Sequence, residues 1–201
     1  MERQLLRSFF SMRTLNYRAI RTCLFGLIAL TCAVPSARAQ GETFTATAAL
    51  KGAGGATIAT PITVSISQYT SEGDREDMLA ALKKGMAEAS AFLARKKDLG
   101  SIQIGGRQTT IKYAYQYMTP TGRLISVAAI VPIALPDTGT PQAQPRAGFN
   151  VGVIFLNLPA SGPSDGQLIP NASVKVDGDG AIVAEDASGD FVPLTNVVAK
   201  K

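Results

Sequence analysis

One stretch of the sequence, residues 74–97, has the periodicity of a long amphipathic helix and limits what the rest of the chain can form. Its apolar residues recur every three or four positions, which places them along one stripe of a 3.6-residue helix. Asp74 is in position to cap its start, and Gly100 follows its end. We interpret Gly85, inside the stretch, as tolerated at a cost of about 1 kcal/mol, so the sequence predicts one unbroken helix. The stripe comprises Met78, Leu79, Leu82, Met86, Ala89, Phe92 and Leu93.

Most of the remaining sequence alternates between apolar and polar residues, which is typical of β-strands. Residues 44–51 and 58–67 predict two strands joined by a glycine-rich loop, and residues 109–118 predict another strand with Tyr113, Tyr115 and Tyr117 on one face. The predicted fold class is α+β, a mainly antiparallel curled sheet of about seven to nine short strands packed on the one long amphipathic helix.

Residues 1–39 have the order of a secretory signal peptide: arginines, then an apolar run of about a dozen residues, then Ala37-Arg38-Ala39. The apolar run is shorter than the roughly 20 residues that a stable membrane span needs. We expect cleavage after Ala39 and a single α+β domain over residues 40–201. A signal peptide of more ordinary length begins at Met12, which predicts a true start there. The expected location is periplasmic or extracellular, with no stable membrane span after cleavage.

Charge and cysteine content change once that segment is set aside. Residues 40–201 hold 14 basic and 14 acidic residues and no cysteine, since Cys23 and Cys32 both precede residue 40. A neutral chain removes the electrostatic basis for binding nucleic acid. A domain without disulfides must be stabilised by its core.

The sequence contains no histidine. This excludes Ser-His-Asp and Cys-His catalysis as well as histidine- or cysteine-based metal sites. Carboxylate chemistry, Ser-Lys chemistry and oxygen-ligated cations remain open. Asp177-Gly178-Asp179-Gly180 is interpreted as a hairpin turn rather than a calcium loop, because the twelfth position from Asp177 is Ser188 and not glutamate. We therefore predict no enzyme activity, no cofactor and no metal.

Several segments together resemble a group of exported bacterial proteins without an assigned activity. The resemblance covers most of the chain from about Asp74 onward, and it implies a shared fold but no site. The segments that carry it are Leu99-Gly100-Ser101-Ile102, Ile111-Lys112-Tyr113-Ala114, Gly122-Arg123-Leu124-Ile125, Gly166-Gln167-Leu168-Ile169-Pro170 and Val192-Pro193-Leu194-Thr195-Asn196-Val197.

The leading hypothesis for function is a non-enzymatic binding protein that holds a small apolar ligand or a peptide between helix and sheet. Methionines on the helix stripe motivate it, because methionine adapts to varied partners. The alternative is an interaction module of the cell envelope that docks a partner through a strand edge, with residues 135–147 and 161–165 as contact points. A hydrolase is the third option. The predicted ligand-binding residues are Met78, Leu82, Met86, Phe92, Tyr113 and Tyr115.

Overall fold

The computed structural model describes residues 41–139, 148, 150–176, 182–186 and 191–200, all in the second of two units into which the chain divides, Ala37–Lys201. The predicted signal segment, residues 1–39, lies outside the described residues. Strands make up 56% of the described residues and helical segments 18%. The predicted α+β class is therefore wrong, because the described residues form mostly a curled antiparallel sheet and no long helix.

Ten strands and two helices follow one another along the described chain, with a short 3-10 turn at Ala53–Gly55. The helices are α1 (Glu72–Lys84) and α2 (Met86–Ala94). The strands are β1 (Glu42–Lys51), β2 (Thr57–Ile66), β3 (Gly100–Ile104), β4 (Arg107–Ile111), β5 (Tyr113–Thr119), β6 (Gly122–Ala129), β7 (Val151–Pro159), β8 (Asp165–Val176), β9 (Ile182–Asp186) and β10 (Val192–Lys200).

All strand pairs are antiparallel, and nine strands form one path in the order β4-β3-β2-β1-β10-β8-β7-β6-β5. The predicted hairpin around the glycine-rich loop is confirmed, with β1 and β2 paired from Glu42↔Ile66 to Lys51↔Thr57. Strand β9 pairs with the second half of β8, up to Val176↔Ile182. The predicted turn at residues 177–180 lies outside the described residues, but the strands on both sides of it pair as a hairpin.

A corner at Lys112 gives the sheet its curvature. The strand predicted over residues 109–118 is in fact two strands, β4 and β5, which lie at opposite ends of the sheet and are separated only by Lys112. Since neighbouring Cα atoms are 3.8 Å apart, the sheet must curl until its ends meet at this residue. The corner also reverses the faces, because Ile111 points into the sheet interior and Tyr113 points outward.

The interior of the curled sheet is the main apolar core. Alternate residues of the strands point into it and are almost completely buried, as the period of two requires. Burial of this many branched aliphatic side chains is the largest favourable contribution to folding. Its largest members are Phe44, Ile62, Ile66, Ile102, Ile104, Ile111, Ile125, Ile154, Leu156, Leu168 and Leu194.

The helices form a second apolar layer on the outer face of the sheet. Met78, Leu82, Ala89 and Leu93 are buried there, so the predicted stripe does face the protein. The predicted single helix over residues 74–97 is wrong because Gly85 separates α1 from α2.

Gly85 adopts φ 129° and ψ 164°, and its N–H donates to the carbonyl oxygens of Ala81 and Leu82. This backbone conformation is outside the helical region and is accessible mainly to glycine. The start also differs from the prediction, since Ser71 caps α1 by accepting from the N–H of Asp74.

We expect Gly85→Ala to destabilise the protein by about 1–3 kcal/mol, because alanine at a positive φ strains the backbone. Open space surrounds the added Cβ, so no steric clash contributes. Gly73→Ala, inside α1 and equally open, is the matched control and should stabilise by up to about 1 kcal/mol. Urea unfolding measures both; stabilisation by Gly85→Ala would instead indicate one continuous helix.

Candidate ligand-binding site

An apolar cavity of about 90 Å³ lies between the two helices and the outer face of the sheet. It is partly open and is bounded by α1 and α2 on one side, by β5, β6 and β7 on the other, and by the β8–β9 hairpin. Pockets for drug-sized ligands measure about 300–1,000 Å³. This cavity therefore has room for one small apolar group rather than for a large ligand.

The helix wall of the cavity follows the stripe seen in the sequence. Met78 and Leu82 come from α1, while Met86, Ala89 and Leu93 come from α2. The spacing of three and four residues continues across Gly85, so both helices present the same stripe to the sheet. Ala89 is fully buried and has a short side chain, which leaves space that a larger residue would fill.

The sheet wall comes from outward-pointing residues of neighbouring strands. Ala128 on β6 pairs with Tyr113 on β5 and with Val153 on β7, so these three side chains lie side by side. Val174 on β8 and Ala184 on β9 are also paired and close the cavity from the hairpin side. Antiparallel register thus assembles a continuous apolar wall from four separate segments.

Four of the six predicted ligand-binding residues line this cavity: Met78, Leu82, Met86 and Tyr113. Phe92 does not. It lines a smaller cleft of about 60 Å³ on the other side of Tyr113, and the Lys96 ammonium lies 4.6 Å from its ring centre.

Tyr115 also lies outside the cavity. Its hydroxyl donates to Glu72 at 2.7 Å, and the Arg75 guanidinium lies 5.0 Å from its ring centre. Tyr113, Tyr115 and Tyr117 do share the outer face of β5 as predicted, but their exposure rises along the strand from 7% for Tyr113 to 58% for Tyr117. The helices bury Tyr113 and partly cover Tyr115, but they leave Tyr117 exposed.

Sequence reasoning missed the lining residues whose position depends on strand pairing. The three missed helix residues are exceptions. Ala89 and Leu93 were already on the predicted stripe but were not predicted to bind a ligand, and Ser90 follows Met86 by four residues, so spacing alone could have placed it there. The others carry no local signal that assigns them to this cavity. The missed residues are Ala89, Ser90, Leu93, Ser126, Val127, Ala128, Val151, Val153, Phe155, Val174, Ile182 and Ala184.

Ser90 lines the cavity, but its hydroxyl oxygen is buried rather than exposed to the cavity. Its Oγ is buried and has no hydrogen-bond partner within the described part of the chain. A helical serine commonly donates to the carbonyl four residues earlier. Buried polar groups without a partner are rare in folded proteins, so Ser90 calls for a physical explanation.

A polar cluster joins β1 to β6, which are not neighbours in the sheet. One guanidinium nitrogen of Arg123 lies 3.0 Å from both carboxylate oxygens of Glu42 and 3.2 Å from the Gln116 side-chain oxygen. The Tyr69 hydroxyl donates to Glu42 at 2.6 Å. Burial, followed by this hydrogen bond and the carboxylate charge, raises the pKa of Tyr69 well above its usual value. The carboxylate is fully engaged, so the cluster ties the curled sheet together.

Among residues 41–139, 148, 150–176, 182–186 and 191–200, no group of three or more histidine, cysteine, aspartate or glutamate side chains could hold a metal ion. Asp177 and Asp179 fall outside these ranges. The helices described here are also too short and too polar to cross a membrane. We found no match to this chain among protein-family models, curated proteins or solved structures. The resemblance to exported bacterial proteins thus stays a prediction.

Stability should depend on the ionisation of Tyr113 at high pH. Burial raises the pKa of Tyr113 to about 12, above the unfolded value of 10.0. Because the pKa is higher in the folded state, the stability that depends on the protonated Tyr113 hydroxyl is fully present below pH 10. It is lost as the pH rises toward 12. When the pH is raised from 9.5 to 11.5, the unfolding free energy of the wild type should fall by roughly 2 kcal/mol more than that of Tyr113→Phe.

Urea unfolding across this pH range checks the prediction. Between pH 7 and 9 the difference in unfolding free energy between the two proteins should stay constant, which serves as the internal control. Equal losses for both proteins above pH 10 would contradict the burial of the Tyr113 hydroxyl beneath the helices.

Proposed function

We propose that this chain is an exported, non-enzymatic binding protein that holds a small apolar ligand, or an apolar side chain of a peptide, in the cavity between α1, α2 and the sheet. The observation that carries the proposal is the cavity itself, about 90 Å³ lined by aliphatic and aromatic side chains. Cavities lined by apolar side chains can bind small apolar molecules. Residues 1–39 support an extracytoplasmic location, periplasmic or extracellular.

The composition of the wall also supports binding rather than catalysis. None of its described residues carries a charge, and its only polar side chains are Ser90, Tyr113 and Ser126. General acid or base catalysis needs a group whose pKa lies near the working pH, and burial raises the pKa of Tyr113, the titratable group among the described residues of the wall, to about 12. Met78 and Met86 suit a binding site, because unbranched and polarisable side chains adjust to different ligand shapes.

Xenon uptake followed by methionine methyl resonances tests the proposal. In protein labelled with ¹³C at the methionine methyl groups, xenon should shift the Met78 and Met86 signals, which come from the cavity wall. Met118, 69% exposed and not part of that wall, should not shift. Met86→Trp should abolish the Met78 shift by filling the cavity while circular dichroism shows an intact fold.

Met118→Trp is the matched control and should leave xenon uptake unchanged, since it adds the same ring outside the cavity. If the Met78 and Met86 signals of the wild type do not respond to xenon, the space is closed and the proposal fails. An unchanged response in Met86→Trp would place the xenon elsewhere.

A second candidate function, docking through a strand edge, is favoured by the far end of β5. On the outer edge of β5, Ala114 forms hydrogen bonds with Thr70, and its carbonyl oxygen accepts from the Thr70 N–H at 2.6 Å. Beyond that point no strand of the described chain pairs with this edge. Tyr117 and Met118 are 58% and 69% exposed beside it, and Leu124 is 42% exposed opposite Tyr117. An open apolar edge is a template for another strand.

The partner that we propose for this edge is a second copy of the chain, because two antiparallel β5 strands related by a two-fold axis would bury the same patch on both. Light scattering should then detect a dimer that Met118→Lys converts to a monomer. Val198→Lys, at a position 55% exposed on β10, should leave the dimer intact. A monomer at every concentration of the wild type would contradict this mode.

A further inference from the structure

We infer that the cavity takes the open-chain aliphatic end of a larger molecule, roughly three or four carbon atoms long, and excludes rings. This inference rests on the proposed binding function and specifies the chemical class of the ligand. It comes from three features of the described wall: the volume that it encloses, the charge that it lacks and the side on which it is open.

The volume of the cavity limits the size and shape of its occupant. An apolar cavity of about 150 Å³ holds one benzene molecule, with its six carbon atoms. The cavity described here measures about 90 Å³, so the same ratio gives roughly three or four carbon atoms. A ring could enter only if packed wall atoms moved apart, which is unfavourable. An open chain avoids this, because it inserts only as many carbons as fit.

The uncharged wall sets the polarity of the inserted group. No lysine, arginine, aspartate or glutamate lies among the described residues of the wall. A carboxylate or ammonium group inside it would be buried without a countercharge, which strongly disfavours binding. Methyl and methylene groups are the atoms that gain from burial against aliphatic side chains. A charged group of the ligand therefore stays outside the cavity.

The open side of the cavity lets one end of a molecule enter while the rest stays in solvent. Met78 and Leu82 are buried in the wall, with 7% and 5% exposure, whereas Met86, Val174 and Ala184 line the same cavity and are half-buried. Met86 and Val174 pack against the same two apolar clusters, which places the start of α2 beside the β8–β9 hairpin. The mouth of the cavity lies between these two elements. The unbranched Met86 side chain can move aside there.

The test compares 1-hexanol, an open chain, with benzyl alcohol, a ring of similar polarity, and uses xenon as the reference for an accessible cavity. Each probe is followed by the methionine methyl signals of the purified protein. In the wild type, 1-hexanol should shift the signals of Met78 and Met86 but not that of Met118, which is 69% exposed and outside the wall. Benzyl alcohol should bind about tenfold more weakly or not at all, because the packed wall has no space for its ring.

A fourth probe, N-acetyl-leucinamide, separates two sources of an open-chain aliphatic end. It carries a leucine side chain on a peptide unit. Binding tighter than that of 1-hexanol assigns the cavity to a peptide side chain, and weaker binding assigns it to an alkyl compound.

Enlarging the cavity should admit the ring. Leu82→Ala removes wall atoms, so benzyl alcohol should then shift the Met78 signal. Leu79→Ala is the matched control, because it removes the same atoms from the same helix at a half-buried position outside the wall, and it should leave benzyl alcohol excluded. Leu93→Ala enlarges the cavity from α2 and takes the place of Leu82→Ala if circular dichroism shows that Leu82→Ala is unfolded.

The outcomes separate this inference from the proposed function. If xenon shifts the Met78 signal but 1-hexanol does not, or if 1-hexanol shifts only Met86, the cavity binds small molecules and the chain-end class is overturned. Equal binding of benzyl alcohol and 1-hexanol by the wild type overturns the size limit, and so does exclusion of benzyl alcohol from a folded enlarged variant. If xenon shifts neither Met78 nor Met86, the binding function itself fails.

Discussion

A one-residue connection between the two ends of the sheet governs this fold. Strands β4 and β5 are the first and last of the nine strands in the sheet path but are adjacent in the chain, so Lys112 must bring the two edges together. The Lys112 N–H donates to the Ala128 carbonyl on β6. Its ammonium lies 2.8 Å from both the Asp98 carboxylate and the Lys96 carbonyl oxygen. The corner is thereby attached to the segment that leaves α2, which holds the helices against the outer face.

The apolar residues form two layers with different roles, and at the corner the chain passes from one layer to the other. Ile111 on β4 points into the interior of the curled sheet, whereas Tyr113 on β5 points outward beneath the helices. Isoleucine and valine dominate the interior, and their branched side chains have few rotamers, which favours a single packed arrangement. Methionine, alanine and serine are concentrated in the helix layer. Space for a ligand therefore arises outside the sheet.

Local patterns predicted the β1–β2 hairpin, the antiparallel pairing and the inward stripe of the helices, because each depends on residue spacing within one segment. The stripe also placed Met78, Leu82 and Met86 on the cavity wall. Gly85 and Lys112 were misread because a glycine within a helical pattern and a lysine within a strand pattern are each compatible with an unbroken element. Their conformations are set by distant packing. The sheet side of the cavity likewise requires the strand order, which periodicity does not contain.

Because the apolar residues form two layers, a change at the cavity need not disturb the core that stabilises the sheet. Gly85 separates α2 from α1, so α2 can reorient while the N–H of Gly85 remains bonded to the last turn of α1. Met86, at the start of α2, has three rotatable side-chain bonds and can follow such a movement. Ser90 lies one turn further along the same helix, so any shift of α2 moves its unpaired hydroxyl as well. A shift of α2 would therefore change the helix wall of the cavity, while the interior strands need not move.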